Sequence, residues 1–287
     1  MAEWTIRALM EWTEKHFQEK GIDSPRLETQ LLLSHALKCK KPELYTRWDE
    51  VVAEDSRGRF RDLINRRLEG CPIQYLIGYR EFFLLEFEVT PAVLIPRPET
   101  ELLVAETLKR IKDLAHPRLL DIGTGSGCIA IAIARRHKTA EVIATDISAE
   151  ALEVAHRNAA KHGMDKRIRL LHGDLFAPVA GQRFDIIVSN PPYVSQAEWA
   201  RLPSQVRNHE PKVALEAGPE GFAVYDRLIP AVAAHLGPGG HLLLEIGANQ
   251  EEQLRQLIGR QSELTLGPTH RDDQLLPRVV TALRTHG

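Results

Sequence analysis

The chain has 287 residues, 43% of them hydrophobic and 26% charged, with 37 Lys and Arg against 39 Asp and Glu for a formal charge of −2. That length predicts a main domain plus a smaller one, and the balanced charge provides no global positive field to attract nucleic acid. The longest purely apolar run, CIAIAIA at 128–134, falls far short of the ~20 residues of a membrane span, and the odd trio Cys39, Cys71 and Cys128 suits neither a disulfide framework nor a zinc site. Glu11 and Glu14 interrupt the apolar pattern of the N-terminal stretch, which therefore does not read as a signal peptide. The expectation is a cytoplasmic protein without metal, since the twelve histidines show no ligand spacing.

The first 75 residues read as helix. Ile6, Leu9, Met10, Thr13 and Phe17 fall at helical spacing, with Gly21 as a stop. Ser24-Pro25 predicts an N-cap opening a second helix that buries Leu27, Leu31, Leu32 and His35. A third helix, over 50–69, uses Val51, Val52, Phe60, Leu63, Ile64 and Leu68. Residues 75–95 turn aromatic and β-branched, with Gly78 as a turn and Pro91 as a stop, and predict a β-hairpin.

From residue 96 the pattern alternates. Helices are predicted at 98–113, 126–137, 148–162, 220–236 and 249–259, and strands at 118–122, 140–145, 167–171, 184–189 and 241–246, with two final strands. Seven strands separated mostly by helices imply an α/β fold, a doubly wound, mainly parallel, Rossmann-like sheet. The expected division is a helical domain at 1–75, a hairpin linker at 76–95 and a cofactor-binding domain at 96–287.

Strand 118–122 (RLLDI) runs straight into Gly123-Thr124-Gly125-Ser126-Gly127 and then a helix. Such glycines let the backbone turn sharply and approach a ligand, with helix N–H groups aimed at it. The next strand ends in Asp146, placed to accept both hydroxyls of a ribose. A dinucleotide fingerprint needs G-x-G-x-x-G, whereas the third glycine here comes one residue early. Asp121, read as an acid facing the pocket, suits the positive charge of S-adenosylmethionine, which has no pyrophosphate to cradle. The competing reading is a glycine turn with no ligand.

Strand 184–189 ends at Asn190-Pro191-Pro192-Tyr193, on the carboxyl edge where open α/β sheets bind ligands. The prolines fix φ and hold the backbone extended. The Asn190 side-chain oxygen and a proline carbonyl are then two acceptors for the hydrogens of a planar –NH2 group. Tyr193 is expected to lie against that group. Fixing the N–H bonds favours the rehybridised transition state of methyl transfer without a strong base.

With these motifs the chain resembles the class I S-adenosylmethionine methyltransferases with an NPPY motif, and within them the release-factor glutamine N5-methyltransferases. The resemblance rests on PIQYLIGYREF (72–82), VLIPRPETE (93–101), DIGTGSG (121–127), VSNPPYV (188–194), VRNHEPKVALEAGPEGFAVYDRLI (206–229), LLLEIG (242–247) and RVV (278–280). It implies that Asp121, Gly123, Thr124, Gly125, Ser126, Gly127, Asp146, Ile147 and Asn190 bind S-adenosyl-L-methionine, with Asp174 and Leu175 beside the adenine. It also implies that Asn190 to Tyr193 hold the acceptor, the glutamine of the GGQ motif of class I peptide-chain release factors, at a step of translation termination. Two departures stand out. Leu175 occupies a position often aromatic, and RDDQLLPRVV lacks a glycine common in that loop.

The arginines at 57, 59, 61, 66 and 67 read as a solvated helix face, with a contact surface for RNA or protein as the alternative. Trp4 and Trp12 read as core or domain-boundary residues. Glu245 is equally compatible with the active site and with capping a neighbouring loop. The rival functions are a methyltransferase for a nucleobase amine, a nicotinamide oxidoreductase, and a cofactor-binding protein without catalysis. A membrane or direct nucleic-acid partner is not expected.

Overall fold

The computed structural model describes residues 4–285; the outermost residues of the expected terminal domains, 1–3 and 286–287, lie outside. It separates into two compact units, one of residues 1–78 with 204–209, the other of 79–203 with 210–287.

The first unit contains α1 (Ile6–Glu19), α2 (Pro25–Leu37), α3 (Lys41–Thr46), α4 (Glu54–Leu68) and α5 (Ile73–Ile77). The Thr5 hydroxyl accepts the Ala8 N–H at 3.2 Å and caps α1, whose buried residues are the expected Ile6, Leu9, Met10, Thr13 and Phe17. Helix α2 is turned from its expected orientation: Thr29, Leu32, Leu33 and Ala36 are buried, while Leu27 and His35 are exposed. Ser24 occupies the cap position without a side-chain cap bond. Trp12 is 50% exposed and stacks on His16 instead of entering the core.

Helix α4 starts later than expected, because the Val52 N–H donates to the Trp4 carbonyl and holds that stretch extended. Its arginines are not one solvated face. Arg57 and Arg61 pair with Glu54, but Arg67 is half-buried, forked onto Glu28 at 2.6 and 3.1 Å and bonded to Gln205 at 3.2 Å.

The second unit begins with the hairpin β1 (Tyr79–Phe82) and β2 (Leu85–Glu88), shorter than the expected 75–95. Gly78 ends α5 in a left-handed conformation and is not the hairpin turn. That turn is Phe83-Leu84, both at positive φ (49° and 61°), as a two-residue hairpin loop with matched twist requires. Buried Asn158 ties the hairpin down, accepting from the Glu88 N–H and donating to the carbonyls of Glu88 and Ser126.

Then follow α6 (Thr100–Ile111), β3 (Arg118–Ile122), α7 (Cys128–Arg136), β4 (Glu141–Asp146), α8 (Ala149–Lys161), β5 (Ile168–His172) and β6 (Phe184–Ser189). Two short helices unforeseen in the sequence, α9 (Gln196–Trp199) and α10 (Ser204–His209), the latter part of the first unit, precede α11 (Ala223–His235), β7 (Leu236–Glu245), α12 (Glu251–Gly259), β8 (Leu264–Arg271) and β9 (Pro277–Arg284). The described residues form a seven-stranded sheet in the order β5-β4-β3-β6-β7-β9-β8, parallel except for β9, which runs antiparallel to both neighbours.

Side chains alternate across this sheet. Leu119, Val142, Ile186 and Leu243 pack with α6 and α7, while Leu120, Ile143, Ile187 and Leu242 pack with α11 and α12. Each fully buried Leu, Ile or Val contributes roughly 1.5–3 kcal/mol, so both layers secure the sheet firmly. Strand β3 has β4 on one side and β6 on the other, which makes its carboxyl end the switch point where such sheets bind ligands. No helix among the described residues is long and apolar enough to cross a membrane.

Candidate active site

The carboxyl ends of β3, β4 and β6 open into a cavity of about 280 Å³. Gly123 to Ser126, Asp146 to Ser148, Thr100 and Asn190 to Pro192 all line it.

In the glycine loop, the Gly123 and Thr124 N–H groups donate to the Thr145 carbonyl, folding the loop back onto β4. Gly127 begins α7 in the left-handed region, and a Cβ there would meet Ile131 at 3.0 Å and Ala155 at 3.3 Å, so only glycine fits. Asp146 accepts from the Gly125 N–H at 2.8 Å and the Ser148 N–H at 2.9 Å, fixing both carboxylate oxygens. Burial raises its pKa and those two backbone donors oppose the rise.

Asp121 does not face the cavity as expected. It is 0% exposed and stands behind the loop, where the Thr124 hydroxyl donates to Oδ2 at 2.7 Å and Oδ1 has no partner. Burial pushes this carboxyl up to about 7 against the Thr124 bond, with Asp146 adding to the rise. Ile147 and Leu175 are apolar parts of the cavity wall, Leu175 at a positive φ of 46°. Asp174 also lines it but is ion-paired to Arg227.

In the NPPY segment, Asn190 donates its Nδ2 hydrogen to Thr100 Oγ at 3.2 Å. Tyr193 lies outside the cavity wall, half-buried against the core layer containing Phe222 and Tyr225. The physical reason is a backbone anchor: Gln250 donates to the Tyr193 carbonyl at 2.9 Å, and the Val194 N–H donates to Leu215. Burial raises the pKa of the Tyr193 phenol.

Glu245 is 1% exposed at the end of β7, and burial pushes it up to about 7. Glu210 is likewise buried and grips the Pro96 segment, accepting from Arg97 at 2.5 Å and from the Ile95 N–H at 3.1 Å. Thr100, Glu210 and Gln250 had no assigned role in the sequence reading. The first two lay inside recognised segments, and Gln250 carried no signal. No cluster of His, Cys, Asp or Glu among the described residues could hold a metal ion.

Residues 8–78 match the family model described as PrmC N-terminal domain, and residues 98–206 match that described as Methyltransferase small domain. The release factor glutamine methyltransferase of Rhodopirellula baltica is 46% identical over 248 residues, 85% of this chain and 84% of that protein. Its namesake in Geobacter sulfurreducens is 43% identical over 257 residues, 90% and 89% of the two chains. The chain belongs to the release factor glutamine methyltransferase family. A crystal structure of a methyltransferase from Pyrococcus furiosus shares the fold at a TM-score of 0.53 and 21% identity, covering 80% of this chain and 100% of that one. In this family member the glycine loop and NPPY leave neighbouring strands, β3 and β6, and share one cavity wall.

Proposed function

We propose that the protein methylates the side-chain amide nitrogen, N5, of the glutamine in the GGQ motif of class I peptide-chain release factors, in the cytoplasm, using S-adenosyl-L-methionine. The carrying observation is the orientation of Asn190. With Nδ2 bonded to Thr100, its Oδ1 is left as an acceptor in the cavity wall that Asn190 shares with the glycine loop.

The donor set fits this cofactor. Both arginines in the wall already have a carboxylate, Arg97 on Glu210 and Arg227 on Asp174, so neither is free for a pyrophosphate. The acids Asp146 and Glu216 and the apolar Ile147 and Leu175 suit a cationic ligand with ribose and adenine parts. Asp146 would hold the ribose hydroxyls, the loop from Gly123 to Gly127 the amino-acid portion, and Ile147 and Leu175 the adenine. When bound, S-adenosylmethionine supplies an electrophilic methyl group.

The chain's own residues then act on the acceptor. Asn190 Oδ1 and the Pro191 carbonyl accept its two N–H hydrogens, which directs the nitrogen lone pair along the cavity toward the glycine loop. Holding a weakly nucleophilic amide in that geometry favours the transition state more than the ground state. The 79–203 and 210–287 unit carries this chemistry, and the helical unit, with Trp12 exposed, docks the body of the release factor. A pocket for one amide group cannot by itself distinguish protein glutamines, so selectivity requires contacts remote from the reacting atom.

The test is incubation with methyl-labelled S-adenosylmethionine and, separately, a release factor, ribosomal RNA and DNA. Label in the release factor is expected, and label in nucleic acid alone would overturn the reading. Trp12→Ala should slow methylation of intact release factor about tenfold, as for an interface anchor, while sparing a short GGQ peptide. Equal losses on both would remove the docking role.

A further inference from the structure

One half-buried side-chain amide ties together three backbone segments of the sheet unit, and methyl transfer as described above gives it no role. Gln250 Nε2 donates to the Tyr193 carbonyl at 2.9 Å and to the Gly221 carbonyl at 3.3 Å, while its Oε1 accepts the Gly247 N–H at 3.0 Å. Gln250 stands at the N-cap of α12, where a side chain ordinarily accepts from the N–H groups of its own helix, yet it makes no such bond. The segments meet closely. A Cβ at Gly221 would strike the Tyr193 carbonyl oxygen and lie 3.0 Å from Gln250 Nε2, and one at Gly247 would lie 2.9 Å from Gln250 Oε1.

We propose that Gln250 is a positioning residue for methyl transfer, which holds the exit of NPPY and thereby aims Asn190 and the Pro191 carbonyl at the substrate amide. This rests on the reading of those two groups as its acceptors. Tyr193 is joined to them through Pro191 and Pro192, whose rings fix φ. A shift of the Tyr193 peptide is therefore carried back to the Pro191 carbonyl and is not absorbed on the way. Two carbonyls and one N–H converge on the Gln250 side chain, and a primary amide offers the matching two hydrogens and one oxygen in a single orientation. A carboxylate has no hydrogen to donate, and a thioether has neither a donor nor a strong acceptor.

The same exit anchors a second part of the cavity. The Val194 N–H donates to the Leu215 carbonyl at 2.8 Å and the Ala217 N–H to the Val194 carbonyl at 2.9 Å, so the stretch that brings Val213, Ala214 and Glu216 into the wall is fastened beside Tyr193. Gln250 itself stands outside the wall and removes no cavity contact when replaced. The glycine loop and Asp146 are held by their own backbone bonds to Thr145, Gly125 and Ser148. Loss of the Gln250 amide should therefore fall on turnover and spare cofactor affinity.

The experiment compares Gln250→Met, Gln250→Glu, Asn190→Ala and the double variant of Gln250→Met with Asn190→Ala in the full chain, with purified release factor and S-adenosylmethionine. Gln250→Met keeps the length of the side chain and loses all three bonds; kcat should fall about 10- to 100-fold, the scale on which small misplacement of reacting groups acts. Cofactor Kd by calorimetry should be unchanged. Gln250→Glu keeps an oxygen for the Gly247 N–H but sets the other against two carbonyls, so it should be as slow as Gln250→Met. In the double variant the losses should combine to less than their product, because both substitutions damage one grip on the substrate amide.

Unaltered kcat in Gln250→Met, weakened cofactor Kd in that variant, or losses that multiply in full would each overturn the positioning role. So would normal kcat in Gln250→Glu, which would confine Gln250 to supporting the Gly247 turn. If Gln250→Met does not fold, Gln250→Glu alone and combined with Asn190→Ala decides the matter. A slow Asn190→Ala beside a normal Gln250→Met sinks the positioning role only, whereas a fully active Asn190→Ala sinks the acceptor reading beneath it.

Discussion

Asp121, on β3 under the glycine loop, and Glu245, at the end of β7, are both buried carboxyls, and the Thr124 hydroxyl donates to the first. Both carboxyls keep one oxygen without a partner, and burial pushes both up to about 7. Two threonines of the cavity wall, Thr124 and Thr100, differ in what they hold. Thr124 belongs to the loop itself, so its bond braces backbone. Thr100 receives the Asn190 side chain, so its bond orients a functional group. A threonine hydroxyl thus braces the glycine loop in one place and holds the Asn190 side chain in the other. Substitutions at the two places should therefore separate affinity from turnover.

The largest separation is expected from Asn190→Ala. Losing one of two acceptors should lower kcat about 10²- to 10³-fold, by analogy with removal of an oxyanion-hole donor, with cofactor Kd nearly unchanged. Rapid-quench turnover and calorimetry measure the two quantities separately, and weakened cofactor binding with normal saturated turnover would break the comparison.

Asp146→Ala should do the reverse. Loss of charge-assisted hydrogen bonds of about 1.5–3 kcal/mol weakens binding about 10- to 100-fold. The Gly125 and Ser148 N–H groups lose their acceptor as well, so part of the effect is loosening of the loop. Unchanged affinity in calorimetry would place the carboxylate outside the binding site.

Thr124→Val deprives Asp121 of its hydrogen-bond donor at the place that braces backbone. The expected cost is about 1–3 kcal/mol of stability in denaturant titration, with saturated kcat preserved. A variant as stable as wild type but slow would make Thr124 the counterpart of Thr100 and erase the contrast.

The remaining contrast is in pH dependence. Asp121 has a folded pKa of about 7 against an ordinary 3.8. Its stabilising contribution is complete below the unfolded value and is lost as pH rises through the folded one, at up to about 1.4 kcal/mol per pH unit. Asp121→Asn should lack that loss, so wild-type Tm should fall relative to the variant between about pH 4 and about pH 8. A Tm difference that does not change with pH would remove Asp121 from the argument.

The sheet unit was the more legible part of the sequence, because its strands are buried on both faces and punctuated by glycine. RLLDI into Gly123 and FDIIVS into Asn190 leave little freedom in element or register. The helical unit was read less well. Alternative apolar stripes on α2 compete, and burial of Thr29 and Ala36 in place of Leu27 depends on partners that periodicity cannot specify. The hairpin turn escaped because Phe83 and Leu84 adopt positive φ without glycine. Leu275 does the same in the loop that lacks the usual glycine, where Asp272 accepts the Gln274 and Leu276 N–H groups. In the site, the lining residues from Gly123 to Ser126, Asp146 and Asn190 were identified from local spacing. Asp121 and Tyr193 were placed in the wall but lie behind it, since their orientation depends on Thr124 and Gln250. Glu210 and Thr100 act across long sequence separations, which a motif does not encode.

The central claim concerns which atom receives the methyl group, and peptide mapping tests it most directly. A class I release factor is incubated with the protein and methyl-labelled S-adenosylmethionine, digested and fragmented by mass spectrometry. The account predicts one added methyl on the side-chain nitrogen of the GGQ glutamine, absent after incubation with Asn190→Ala over the same time. A methyl group on any other residue, or on that glutamine with equal yield from Asn190→Ala, would contradict it.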